Sequence, residues 1–174
     1  MPDERLMPKF LTRDIAEMAV KAILEAVMQN PDVFRPKRRH CHVVVVVPSM
    51  ENVHTGEHPK WRNYALEPSI LYEYSYGERA DWEHPFADIA LVKALQLWQG
   101  RNDDRTDSMP HLLFSGDTPF WGGVKRHGIV VTCSGLQPWL DKMLAGMVAD
   151  ACIALAYGAW MRSETHAKNA DFLK

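Results

Sequence analysis

At 174 residues, with 47% hydrophobic content and a formal charge of −2 from 20 basic and 22 acidic side chains, the chain has apolar mass for one globular domain and little for a second. The near balance of charge excludes the polybasic field that grips a nucleic-acid backbone, so no nucleic-acid partner is expected. Cys41, Cys133 and Cys152 spell neither a disulfide framework nor a zinc knuckle, the opening MPDERLMPKF lacks a signal-peptide core, and no apolar run is expected to reach the ~18 residues of a membrane span, which together predict a cytoplasmic protein with reduced thiols and no membrane partner.

Residues 12 to 29 set Ile15, Met18, Ala19, Ala22, Ile23, Ala26 and Val27 three and four apart, predicting an amphipathic helix capped by Thr12 and stopped at Asn30-Pro31. After a basic, proline-broken linker, HVVVVVP at 42 to 48 has the β-branched density of a strand covered on both faces. Residues 49 to 68 have no sustained period and carry Gly56, Pro59 and Pro68, which predicts a long loop. In SILYEYSYG, Ile70, Tyr72, Tyr74 and Tyr76 alternate with Leu71, Glu73 and Ser75, as in a half-buried strand.

Residues 85 to 99 wrap Phe86, Ile89, Ala90, Val92, Lys93, Leu95, Gln96 and Trp98 around a second helix, with Pro85 in its first turn and Gly100 at its end. RNDDRTDSMP reads as a charged loop, residues 111 to 114 as a short strand, and residues 123 to 134 as a hairpin turning at His127-Gly128. Residues 138 to 162 form a closing helix with Leu140, Met143, Leu144, Met147, Val148, Ala151, Cys152 and Leu155 along one side; the polar tail from 163 to 174 is expected to fray. Helix, strands, helix, strands, helix defines an α+β fold, an antiparallel sheet flanked by helices, as a single domain with its core across residues 10 to 162.

Two segments, HPFADIALVKALQLWQGR and GGV followed by GIVVTCSGLQPWLDKMLAGMVADACIAL, resemble the haem-degrading domain family of GlcG-like and HbpS-like proteins, nearest to its branch of small cytosolic proteins. That family's helical lysine, Gly-Gly hairpin, strand ending in Val-Ser-Gly and closing helix with an early aspartate fall here on Lys93, Gly122-Gly123, Cys133-Ser134-Gly135 and Asp141. The chain departs from the pattern in its bulkier last strand, Val130 to Cys133, and its longer loop at 49 to 68. The resemblance implies a profilin-like α/β sandwich, oligomers built on sheet and helix faces and, in some members, binding of haem or a corrinoid.

Gly135 and Pro138 make an efficient strand-to-helix corner, and the free N–H groups of the helix they open also suit an anion. Gly122 and Gly123 allow close backbone approach beside that corner, Lys93 and one of Lys125 or Arg126, whose alternating positions send only one inward, supply charge, Trp121 or Trp82 can cover a planar body, and His84 is either an exposed pre-helix residue or an axial haem ligand. The candidate ligand-binding set is therefore His84, Lys93, Trp121, Gly122, Gly123, Arg126 and Gly135, with haem or another planar carboxylate as the ligand class. His40 and His42 share a strand face without a third metal ligand, His54 and His58 lie beside Glu57 in the irregular loop, and Asp103, Asp104 and Asp107 lack calcium-loop spacing. The expected function is non-catalytic small-molecule binding; the alternatives are an oligomeric accessory or scaffold protein, and an enzyme with a weakly marked site. The closing helix carries more apolar surface than one sheet face covers, which predicts a homo-oligomer.

Overall fold

Apolar stripes on the helices and β-branched runs in the strands meet, in the computed structural model, as a five-stranded antiparallel sheet with helices on both faces; the structure describes residues 5–51, 66–102 and 107–173. Helix α1 (Arg13–Met28) begins where Thr12 Oγ1 accepts the Ile15 N–H at 3.3 Å, and buries Ala16, Ala19, Val20, Leu24, Val27 and Met28. Asn30 closes it by donating from its side chain to Ala26 O at 2.7 Å, and a single turn, α2 (Pro31–Phe34), follows.

Strand β2 (Cys41–Glu51) is central. β3 (Glu67–Tyr76) pairs with it along one edge and β5 (Ile129–Ser134) along the other; β4 (Gly123–Arg126) adds beyond β5, and β1 (Arg5–Leu6) meets β2 at Met50 and Glu51. The valine run is covered on both sides, as expected. Val43, Val45 and Val47 pack with α1 and α4 (Pro138–Met161), whereas Val44 and Val46 pack with α3 (Phe86–Trp98). The hairpin turns at His127 and Gly128, whose φ angles of 49° and 86° are both positive, as a two-residue turn between right-twisted strands requires.

Several expectations are corrected. β2 and β3 reach into the expected loop from both sides; its middle, with His54, Glu57, His58, Trp61 and Tyr64, lies outside the described residues, as do Asp103 and Asp104. The alternation in β3 breaks at Leu71, because Val45 pairs with Tyr72 while Val46 pairs with Ile70. This bulge moves Ile70 onto the α3 face, away from Tyr72 and Tyr74. Residues 111 to 114 are not a strand: Pro110–Leu112 forms a 3₁₀ turn closed by Leu112 N–H to Met109 O at 2.8 Å, and β4 already pairs with β5. After α4 a single turn, α5 (Glu164–Ala167), begins the tail, where Ser163 caps the turn and His166 packs on Trp160 with ring centroids 4.6 Å apart. Finally, α4 is long and apolar enough, by length and composition, to cross a bilayer, with a mean hydropathy of 1.5 over its best window, of which 33% is buried in the protein. Asp150 in the middle of the helix hides this run from a reading that looks for uninterrupted apolar residues.

Candidate functional site

Lys93 leaves α3 on the same stripe as Ala90, Ala94 and Leu97, so its side chain enters the protein with theirs and is 2% exposed. Its Nζ donates to Cys133 O at 2.8 Å and lies 3.5 Å from Asp141 Oδ2, at the end of β5 where α4 begins. Asp141, 3% exposed, accepts the Leu136 N–H at Oδ1 over 3.0 Å. Burial pushes the Asp141 carboxyl up to about 6, against the opposing pull of Lys93 and the Leu136 N–H. Burial also drives the Cys133 thiol upward. This lysine and aspartate tie the helix on one sheet face to the helix on the other.

The glycines explain how the pair fits. At Gly122, where φ is 130°, an added Cβ would stand 2.6 Å from Asp141 Cβ and 3.1 Å from Lys93 Nζ. At Gly135, with φ 132°, it would meet His40 O at 2.6 Å and Cys41 Cα at 2.7 Å. Gly123 is pressed against Thr132 and Leu97. The structure thus brings Lys93, Gly122 and Gly135 into one region together with Asp141, and protein atoms fill the space between them. Asp141 is the member absent from the expected set; its signal was its place in the first turn of α4 beside the Gly135 corner.

The other expected residues lie elsewhere. Arg126 points to the α4 face, donating to Gly146 O at 3.3 Å and Asp150 Oδ2 at 2.7 Å, while Lys125 points away and donates to Trp98 O. Arg126 borders an open groove of about 280 Å³ with Val124, Lys142, Met143, Gly146, Met147 and Asp150. Trp121 is half-buried, in a loop braced where Gln96 and Thr118 exchange two hydrogen bonds and where Arg101 pairs with Asp117. An apolar cavity of about 160 Å³ lies between β2, β3 and α3, lined by Val46, Pro68, Ile70, Leu91, Ala94 and Leu95, beside the bulge.

His84 is exposed, and it belongs to a ring cluster at the start of α3 that spacing did not reveal. Phe86 is its hub, with ring centroids 5.5 Å from His40, 5.7 Å from Trp82 and 5.8 Å from His84; His42 packs edge-on to Trp82 at 6.2 Å. Three ring nitrogens in this cluster, His40 Nε2, His42 Nε2 and Trp82 Nε1, are buried without a hydrogen-bond partner among the described residues. His42 is 1% exposed, and burial pulls its pKa down while hydrogen bonding and charge from Glu73, 3.4 Å away, oppose. Ser75 Oγ accepts from Arg79 Nε at 3.0 Å and Nη2 at 2.9 Å, so its own proton is directed to His42 Nδ1 at 2.9 Å. That assignment leaves the neutral His42 with its proton on Nε2. Nε2–H of His42 then faces the Glu73 carboxylate at 3.4 Å, a long contact, whereas Nε1–H of Trp82 is a buried donor without an acceptor among the described residues, a costly state.

Among the described residues no three His, Cys, Asp or Glu side chains are grouped to hold a metal ion. Comparison with protein-family models, with curated proteins and with solved structures finds no match to this chain.

Proposed function

We propose that the protein is a non-catalytic small-molecule binding protein whose ligand is planar and carries oxygen acceptors, seated at the His40–His42–Trp82–Phe86 cluster. The observation that carries this reading is the buried Trp82 Nε1–H, left without an acceptor among the described residues beside the edge-on rings of His42 and Phe86, with His42 Nε2–H held only by the long 3.4 Å contact to Glu73. A carboxylate or carbonyl oxygen satisfies such a donor, and the partly exposed Trp82 and the exposed His84 offer ring surface to the rest of the ligand. Arg79 over Trp82 and Arg38 over Phe86, with centroid distances of 5.2 and 5.8 Å, add positive charge at the rim. Haem fits this class, with exposed His84 available to the iron, and is the ligand that the resemblance to the haem-degrading domain family points to.

The test is a titration with haemin and, separately, with metal-free protoporphyrin, followed by tryptophan fluorescence and visible absorption. Saturable quenching by both porphyrins is expected, weakened at least tenfold by Trp82→Phe, with a Soret shift for haemin that His84→Ala removes. No saturable change with either porphyrin refutes the proposal for this ligand class, and an unchanged affinity in Trp82→Phe places any binding elsewhere.

A further inference from the structure

Helix α4 is apolar on more than the face it turns to the sheet, and a helix apolar all round is a buried helix. The side facing the core holds Leu144, Val148 and Cys152, all fully buried. The opposite side carries Trp139, Tyr157 and Met161, which are 61%, 61% and 44% exposed. These three alone leave roughly 300 Å² of side chain in water per copy, taking ~200 Å² for a whole side chain of this size.

The order of residues along this side of α4 is symmetric in sequence, with Gly146 buried and Met143 packed on the edge of the core. Counting from Asp150, steps of four, three and four residues lead back to Gly146, Met143 and Trp139, and the same steps lead forward to Ala154, Tyr157 and Met161. Small residues flank the centre and bulky apolar ones stand at both ends. A two-fold axis through Asp150, with two α4 helices crossing in antiparallel sense, sets the exposed Ala154 against the Arg126 guanidinium that covers the buried Gly146 of the other copy, Met143 against Tyr157 and Trp139 against Met161. Ala154 is the small exposed residue beside the crossing, and bulky ones fill the widening gap outside it.

Charge decides between a second copy and a bilayer. Asp150 stands at the centre of the stripe with Arg126 2.7 Å away, and the Arg126 guanidinium lies over Gly146, 3.3 Å from where a Cβ would be. In hydrocarbon this carboxylate and guanidinium are expensive. On a two-fold axis each copy instead brings its own ion pair, so two carboxylates and two guanidiniums meet as a neutral set, with Arg126 in the groove shared by Met143, Met147 and Asp150. Two copies contribute roughly 600 Å² from the three exposed residues alone, toward the ~1,000 Å² of a stable interface that the rest of the stripe completes.

We infer that the chain forms an isologous homodimer through the outer stripe of α4, with Asp150 on the two-fold axis; this is independent of the ligand site. Sedimentation equilibrium at micromolar concentration should give twice the single-chain mass of 19.9 kDa. Ala154→Arg, at an exposed position, should return it to the single-chain mass with an unchanged circular dichroism spectrum. Oxidative cross-linking reads the register, since the native cysteines Cys41, Cys133 and Cys152 are all buried. Asp150→Cys should link to itself, and Trp139→Cys should link to Met161→Cys in a mixture but not to itself. A parent protein of single-chain mass, a dimer that persists in Ala154→Arg, the reversed cross-linking pattern, or flotation of the parent with phosphatidylcholine vesicles each overturns the inference.

Discussion

Replacing Lys93 by methionine keeps the stem of the side chain and removes its donor, which isolates the buried ion pair. Asp141 then loses the neighbour at 3.5 Å that opposes its desolvation, and Cys133 O loses a 2.8 Å hydrogen bond. Breaking one side of a buried pair costs about 3–5 kcal/mol because it strands the other side. That is a large share of the ~5–15 kcal/mol that holds a domain together. For a chain of this length each kcal/mol moves the midpoint by about 2–4 °C, so Lys93→Met should melt about 12 °C below the parent at pH 7. Adding Asp141→Asn should restore a good part of the loss, since the amide is neutral and its oxygen still accepts the Leu136 N–H. The assay is differential scanning calorimetry of the parent, both single variants and the double variant. A Lys93→Met midpoint within about 2 °C of the parent would refute the assignment of the pair as a structural tie between α3 and α4.

Two further outcomes follow from the same region. Because the folded Asp141 carboxyl sits at about 6, above its ordinary 3.8, its contribution to stability is complete below pH 3.8 and is lost as pH rises through 6. Urea unfolding should therefore show the parent losing on the order of 3 kcal/mol more than Asp141→Asn between pH 4 and pH 7; parallel pH profiles would contradict this. Gly135→Ala should cost about 3 kcal/mol, because its Cβ meets backbone atoms of His40 and Cys41 that cannot turn aside. Gly116→Ala, with φ 93° and open space around it, should cost only about 1 kcal/mol, and equal losses at the two sites would show that the dihedral angle and not the contact sets the penalty.

Periodicity made the larger elements legible, because long regular segments carry many votes for one period. Thr12 and Asn30 bound α1 in both sequence and structure, the five valines lie in the middle strand, and His127-Gly128 is the hairpin turn. The bulge at Leu71 was not legible: a single unpaired residue is fixed by the register against β2, which alternation within one strand cannot report. Lys93 shows the same limit at the candidate site. Its type suggests a solvated helix position, yet its stripe, shared with Ala90, Ala94 and Leu97, already pointed inward. The ring cluster was hidden for another reason. His40 and His42 come from the start of β2, Trp82 and His84 from the segment before α3, and only the packing of α3 on the sheet brings them to Phe86.

The valine strand also shapes how the chain reaches its fold. β2 is complete once residue 51 is made, but the partner that closes its second edge, β5, begins at residue 129. At roughly 5–20 residues per second of synthesis, that gap lasts on the order of 4–16 s. Throughout it, a run of five valines without charge, proline or glycine keeps one row of amide and carbonyl groups unpaired, the composition most prone to template cross-β stacking between chains. The hairpin of β3 on β2 shields only the first edge. Solubility during production is thus governed by the arrival of residues 129 to 134. Substitutions that weaken β5, such as Val130→Asp at a fully buried position, should send the protein into inclusion bodies.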